Sequence, residues 1–374
     1  MSGIYIHFPF CKSKCIYCNF YSVAALQQKD AYLHALQQEI ELTTDYLPDK
    51  HISTLYFGGG TPSLLTPDEL EAILFHLSLH YMFSTNAEIT LEANPDQLTI
   101  DYLRELKRLG INRLSIGVQS FSNDILRRLK RRHTAEQALQ ALSAAFEVGF
   151  ENVSIDLIYG IPYRKDNQWN KELAKAFSFP ITHLSAYSLT VEPSTLLDLQ
   201  IKKQQFLSLD EAQEECDYKQ LVDCATNSGF EHYEISNFAK NGCVSRHNFA
   251  YWEGVPYLGL GPSAHSFDGQ SRQWNPADIQ RYVQNVAAGH REEEKEILTP
   301  EMQFNEYVML MLRTYKGVDI EYVSNKFGVK FAEHILQNWS QVPAAFYSQP
   351  GPYHYVLTAE GMRFADKIAV DLLA

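Results

Sequence analysis

No run of 18 or more apolar residues occurs in the sequence, so it offers nothing long enough for a helix to span a bilayer. The opening MSGIYIHFPFCK lacks the basic stretch and apolar stretch of a secretory leader. Positive charge is short as well. With 32 Lys and Arg against 45 Asp and Glu, the formal net charge is −13. That excludes the electrostatic footprint of a protein built chiefly to hold nucleic acid. No glycine turn leads into Lys-Ser or Lys-Thr at the spacing of a phosphate-binding P-loop. Cysteine is scarce, six in 374 residues. This usage suits a reducing compartment, and the expectation is a cytoplasmic, soluble protein of globular composition.

Half of those cysteines lie within eight residues, Cys11, Cys15 and Cys18 in HFPFCKSKCIYCNFYS, while Cys216, Cys224 and Cys243 are scattered. Thiolates are soft ligands, and a tight loop of them holds zinc or an iron–sulfur cluster. A structural zinc wants four protein ligands, and the nearest extra candidate is His7. A [4Fe–4S] cube on three cysteines leaves one iron open to a substrate or cofactor. Incidental buried thiols are the third reading.

Six β-rich runs, 4–8, 53–57, 87–93, 113–119, 152–160 and 182–189, alternate with segments of helical period, among them 31–43, 66–77, 99–110 and 134–149. Helix starts are signalled at Thr66-Pro67-Asp68-Glu69 and Thr134-Ala135-Glu136, and stops at Gly110 and Gly149. Six β–α units predict an α/β fold. Right-handed crossovers curl it into a partial (β/α)6 barrel, though the period alone also describes a flat doubly wound sheet. The cysteine loop directly follows the first strand, where both architectures bind ligands. Residues 242–267, rich in Gly, aromatics and His, suggest an irregular loop, and REEEKE (291–296) a solvated linker. The expected division is a barrel over 1–235, a connecting region over 236–290 and a smaller, mainly helical, winged-helix-like domain over 291–374. The acidic balance points that domain toward packing on the barrel or a partner rather than DNA.

FGGGTPS (57–63) follows the second strand, and its glycines allow close backbone approach to a ligand. Glu92 in LEANPD, Gln119 in GVQSF, Arg131 in LKRRHT and Asp156 in SIDLIYG fall on or just beyond successive strands. A charge in an apolar strand is costly unless paired, so Glu92 and Asp156 mark either a site or a salt bridge at the barrel mouth. In this order and spacing, the cysteine loop, GGGTPS, EANPD, GVQSF, RRHT and IDLIYGIP resemble one family of the radical S-adenosylmethionine (SAM) superfamily. It joins oxygen-independent coproporphyrinogen III oxidase (HemN) and the haem chaperone HemW. The resemblance covers nearly the whole chain. It implies a [4Fe–4S] cluster on Cys11, Cys15 and Cys18 with Tyr17 beside it, and SAM at the open iron. It places Tyr5, Gly59, Gly60, Thr61, Glu92, Gln119, Arg131 and Asp156 around SAM. Arg131 would suit the methionine carboxylate and Asp156 the ribose hydroxyls.

Two departures separate the branches of that family. Its dehydrogenases are similar to C-x3-C-x2-C-x-C, where this chain has Phe20, and they carry a long N-terminal extension, where ten residues precede Cys11 here. His247-Asn248-Phe249-Ala250-Tyr251-Trp252 resembles the HNxxYW motif of the haem chaperones. Imidazole is a common axial ligand of haem iron, and aromatic rings stack on the macrocycle. The resemblance therefore implies haem near His247, Tyr251 and Trp252. The expected function is a chaperone that delivers haem to acceptor proteins such as respiratory enzymes, with a cluster-dependent homodimer suggested by the family. The alternatives are oxidative decarboxylation of coproporphyrinogen in porphyrin biosynthesis and a zinc-stabilised interaction protein.

Overall fold

A computed structural model describes residues 2–165, 167–291 and 293–374; Met1, Asp166 and Glu292, the last within the 291–296 charge run, lie outside the described residues. All six β-rich runs are strands: β1 (Ser2–Phe8), β2 (His51–Gly59), β3 (Met82–Ala93), β4 (Arg113–Gln119), β5 (Asn152–Tyr159) and β6 (His183–Ser188). They pair in parallel and in chain order. A doubly wound sheet reverses its strand order at a switch point. This sheet does not, so its right-handed crossovers stay on one face and the strands curl into a partial barrel.

The alternation of side chains along these strands settles which face is which. Ile4, Ile6, Leu55, Phe57, Leu91, Leu114, Ile116, Val153, Ile155 and Leu184 join the helices in one apolar core. The residues between them are polar. Tyr5, Tyr56, Glu92, Ser115 and Asp156 line the barrel interior near its mouth. Thr54, Glu88, Arg113, Ser154 and His183 lie buried on the same strands, nearer their starts. The capping signals are realised in full. Thr66 and Glu69, and likewise Thr134 and Gln137, form reciprocal capping boxes at the starts of the Pro67–His80 and Ala135–Glu147 helices.

The sheet does not end at six strands. Beyond β6 it adds antiparallel β7 (Glu231–Glu234) and β8 (Asn237–Ala239). On the other edge β9 (Tyr257–Leu260) runs parallel to β1, followed by antiparallel β10 (His265–Phe267), β11 (Ser271–Trp274) and β12 (Glu294–Ile297). The stretch 242–267 is therefore ordered, with an Arg246–Trp252 helix and two strands where an irregular loop was expected. Its glycines serve close packing rather than looseness: a Cβ on Gly259 would sit 2.0 Å from the His265 carbonyl oxygen across the strand pair. The expected boundaries at 235 and 290 consequently fall inside one sheet, which continues to Ile297.

The linker reading of 291–296 also needs correction at its first residue. Glu39, 0% exposed in the Lys29–Leu42 helix, accepts hydrogen bonds from the Gly261 amide (2.7 Å), the Asn275 amide (2.6 Å) and the Tyr282 hydroxyl (2.7 Å). Arg291 completes this network, its Nε 3.1 Å from the Glu39 carboxylate. One buried acid thus ties the added strands to the barrel.

The remaining residues form a smaller unit with its own core of Phe304, Val308, Leu312, Ile335, Trp339 and Leu372. Its sheet has the order β13 (Val318–Asp319), β15 (His354–Leu357), β14 (Tyr347–Gly351), set among short helices in a winged-helix-like arrangement. It packs on the barrel, through the Ile235 amide to the Arg313 carbonyl at 2.9 Å and the Arg363–Glu215 ion pair at 2.8 Å.

Because removing one partner of a buried ion pair strands the other charge, Glu39→Ala is expected to cost about 3–5 kcal/mol. The urea midpoint of the purified protein reads this, and an unchanged midpoint would contradict the role given to Glu39.

Candidate functional site

The strand ends and the cysteine loop enclose a cavity of about 470 Å³ at the barrel mouth. It brings together fourteen of the fifteen residues expected at the site: Cys11, Cys15 and Cys18, then Tyr5, Tyr17, Gly59, Gly60, Thr61, Glu92, Gln119, Arg131 and Asp156, and finally His247 and Tyr251. Trp252 is the exception. It lines a second cavity, against the smaller unit.

The cysteine loop is held from behind. Cys11 N–H donates to the Val23 carbonyl (3.0 Å) and Ile16 N–H to the Leu129 carbonyl (3.4 Å). Hydrogen-bond donors also meet two of the sulfurs, Thr61 Oγ1 at 3.4 Å from Cys11 Sγ and Arg131 Nη1 at 3.6 Å from Cys15 Sγ. Burial pushes the Cys11 and Cys18 thiols up, and the Thr61 hydroxyl and Arg131 pull Cys11 back down. Among the described residues no three His, Cys, Asp or Glu side chains converge on a single metal ion. Four-coordinate zinc, with Zn–S bonds of about 2.3 Å, needs its thiolates within roughly 4 Å of one another. The three thiols line one cavity, and a [4Fe–4S] cube takes one thiolate per iron.

The glycine run has a packing task as well. A Cβ on Gly60 would lie 2.6 Å from the Phe10 carbonyl oxygen, and one on Gly59, whose φ is +106°, 2.7 Å from the His7 ring. These glycines admit the start of the cysteine loop and the His7 ring beside the end of β2. The same closeness leaves their backbone on the cavity wall.

Arg131 is the organising cation. Its Nη2 donates to the Asn94 side-chain oxygen and to the Gly117 carbonyl, both at 2.7 Å. Asn94 in turn donates to Thr61 Oγ1 at 3.4 Å. Asn94 was missed as a site residue, although its place two residues after Glu92 puts it on the same inward parity. Lys12, Lys14, Lys130 and Arg132 also line the mouth, concentrating positive charge on an otherwise acidic chain.

Two carboxyls face this cluster. Glu92 accepts from the Tyr56 hydroxyl (2.8 Å) and the Gly59 amide (3.2 Å). Burial lifts it to about 7, with the Tyr56 bond working the other way and Asp156 adding to the rise. Asp156 accepts from Ser115 Oγ at 3.2 Å and is raised by burial to about 6, against the pull of Ser115 and Arg113. Among the described residues neither makes the salt bridge that was the plain alternative for these positions.

His247 lies on the barrel wall, 1% exposed. The Arg246–Trp252 helix that carries it starts on Glu88 of β3, whose carboxylate accepts the Arg246 and His247 amides, each at 3.1 Å. Both ring nitrogens are engaged, Nδ1 with Thr54 Oγ1 and Nε2 with the Tyr251 hydroxyl, each at 2.8 Å. Burial, with Arg113 nearby, lowers His247 to about 3, so it is neutral. It stacks on Tyr56 with centroids 5.1 Å apart.

The raised carboxyl of Glu92 has a measurable cost. Between about pH 4.5 and 7 the folded chain holds a proton that the unfolded chain has released, so stability falls as pH rises through that window. Glu92→Gln is expected to stabilise the ligand-free protein at pH 8 by on the order of 1–3 kcal/mol. Melting temperatures at pH 8 and pH 4 check this: the variant should melt several degrees higher at pH 8 and equally at pH 4, and coincident curves at both would contradict it.

Comparison with known proteins adds the family. The radical SAM superfamily matches residues 5–176. The heme chaperone HemW of Bacillus subtilis is 35% identical over 332 residues, covering 88% of this chain and 87% of that protein. The mitochondrial radical S-adenosyl methionine domain-containing protein 1 of Danio rerio is 33% identical, over 85% of this chain and 74% of its own. Among solved structures, coproporphyrinogen III oxidase (HemN) from Escherichia coli superposes with a TM-score of 0.85, covering 100% of this chain and 90% of that one at 24% identity, a likeness of fold. By its identity to HemW proteins over most of both chains, this chain belongs to the heme chaperone HemW family of the radical SAM superfamily.

Proposed function

We propose that this protein binds haem and hands it to acceptor proteins, respiratory enzymes among them, while carrying a [4Fe–4S] cluster and SAM in the barrel. The observation that carries the haem reading is the match, across most of both chains, to relatives whose name is heme chaperone. Phe20, 64% exposed where the dehydrogenase pattern has a fourth cysteine, supports the same choice.

In this reading Cys11, Cys15 and Cys18 hold the cluster, and SAM occupies the remaining cavity between Glu92, Arg131 and Asp156. When bound, a cluster of this kind supplies an open iron to chelate SAM and an electron to it. The chain's own residues orient and neutralise. Arg131, fixed at Nη2 by Asn94 and Gly117, presents a guanidinium suited to a carboxylate. Asp156 within β5 suits hydroxyl groups, and Glu92 lies near enough to the Gly59 amide to accept from an ammonium beside it. Thr61 donates to the Cys11 thiol, and Tyr17 lines the same cavity. Among the described residues no helix is long and apolar enough to cross a membrane. Work in the cytoplasm, with transient docking to acceptors, completes the proposal.

The test is an anaerobic haemin titration of cluster-reconstituted protein, followed at the Soret band, beside an assay for porphyrin from coproporphyrinogen III with SAM and reductant. Saturation near one haem per chain without porphyrin product is expected. Porphyrin formation without saturable haem would establish the decarboxylase alternative instead. Cys15→Ser should lose iron and, if the cluster joins two copies, shift the elution volume on size exclusion. Unchanged elution would contradict the dimer.

A further inference from the structure

The HNxxYW hexamer is divided between two cavities. His247, Asn248 and Tyr251 line the first. Trp252, roughly 140° further round the helix than His247, lines the second, of about 400 Å³, between the barrel and the smaller unit. From the barrel side Phe267 joins Trp252, and from the other side come Tyr307 and Tyr322, whose rings stack at 4.8 Å. Four aromatic rings around one opening provide faces for a flat apolar ligand.

Three carboxylates and two lysines line this cavity; Glu253 pairs with Lys316, and Asp319 accepts from the Glu321 and Tyr322 amides. Lys326 at its rim hydrogen-bonds the Tyr322 hydroxyl at 2.8 Å rather than a carboxylate, which leaves its charge for the carboxylates of a bound molecule. Glu306, the third lining acid, is neutralised from behind by Arg272 at 2.6 and 3.1 Å. His354 of β15 and Met311 supply an imidazole and a thioether, both of which serve as haem-iron ligands.

Comparison of the two histidines decides between the cavities. A metal-ligating histidine donates its second ring N–H to a carbonyl, carboxylate or water, which fixes the tautomer and raises the basicity of the ligating nitrogen. His354 has that arrangement: its Nε2 bonds the Lys316 carbonyl, an acceptor only, so the proton is on Nε2 and the lone pair on Nδ1. His247 has neither nitrogen to spare, since each is bonded to a hydroxyl and the ring is sealed in the wall.

We propose that haem, the planar iron tetrapyrrole of the proposed function on which this inference rests, binds in the second cavity with His354 Nδ1 as its iron ligand and Trp252 and Tyr322 against its faces. His247 is then a positioning residue. It holds the helix that shapes both cavities and does not touch iron.

The experiment titrates haemin into reconstituted wild type, His354→Ala, His354→Gln and His247→Ala, reading affinity from the Soret band and axial ligation from the electron paramagnetic resonance of the ferric haem. His354→Gln keeps a donor for the Lys316 carbonyl but no imidazole, so it separates ligation from folding. Both His354 variants should bind haemin at least tenfold more weakly, with a changed ferric spectrum. Metal-free protoporphyrin should bind them as it binds wild type. His247→Ala should keep the wild-type ferric spectrum. Wild-type affinity and spectrum in His354→Gln, or loss of the spectrum in His247→Ala alone, would overturn the site and leave the chaperone reading standing. Wild type that binds no haemin would overturn that reading and the site with it.

Discussion

Charged and hydroxylated side chains on the inner face of a parallel sheet are the constraint on which this structure depends. Parallel strands are ordinarily covered on both faces by apolar layers. Here Glu92, Arg113, Ser115 and Asp156 share strands with Leu91, Leu114, Ile116 and Ile155, and the two sets cannot face the same surroundings. Curling the sheet gives the apolar set to the helices and encloses the polar set in the barrel. Burial then raises Glu92 and Asp156. Arg113, 1% exposed, leaves Nε and Nη1 without a hydrogen-bond partner among the described residues. Such an interior is destabilising by itself, which is a common property of sites that recover the cost when ligand arrives.

The added strands and the Arg246–Trp252 helix follow from the same interior. β9 covers the edge of β1, and Glu39 locks it there by accepting from an amide, a side-chain amide and a hydroxyl while pairing with a guanidinium. Glu88, buried in the barrel, anchors the start of the helix. The helix closes the barrel wall with His247 and Tyr251 and, one residue on, offers Trp252 to the smaller unit. One short helix thereby connects the barrel-mouth cavity with the aromatic cavity.

Much of the architecture was legible in the sequence because the relevant signals are local. The six strands, the capping boxes at Thr66 and Thr134 and the short C-terminal helices were all read from spacing and end residues. What failed was non-local. Gly259 reads as looseness until the His265 carbonyl 2.0 Å from its absent Cβ is known, and Arg291 reads as one more charge in a solvated run until Glu39, far away in sequence, is placed beside it. Glu92, Gln119 and Asp156 were legible because each is a polar interruption of an apolar strand, whereas the cysteine loop was read from its spacing and Arg131 and His247 from motif resemblance. Asn94 carried the same signal and was passed over. Trp252 was grouped with His247 by motif, yet helical geometry turns it toward a different cavity.

On the proposed assignment haem and SAM occupy different cavities and bind at once. The most direct measurement is haemin affinity of the cluster-reconstituted protein with and without saturating SAM, together with the content of each ligand after gel filtration. Separate sites predict retention of one haem and one SAM per chain and a haemin affinity changed by less than about threefold. Displacement of haem by SAM would put both ligands in the barrel mouth and contradict the division of labour described above.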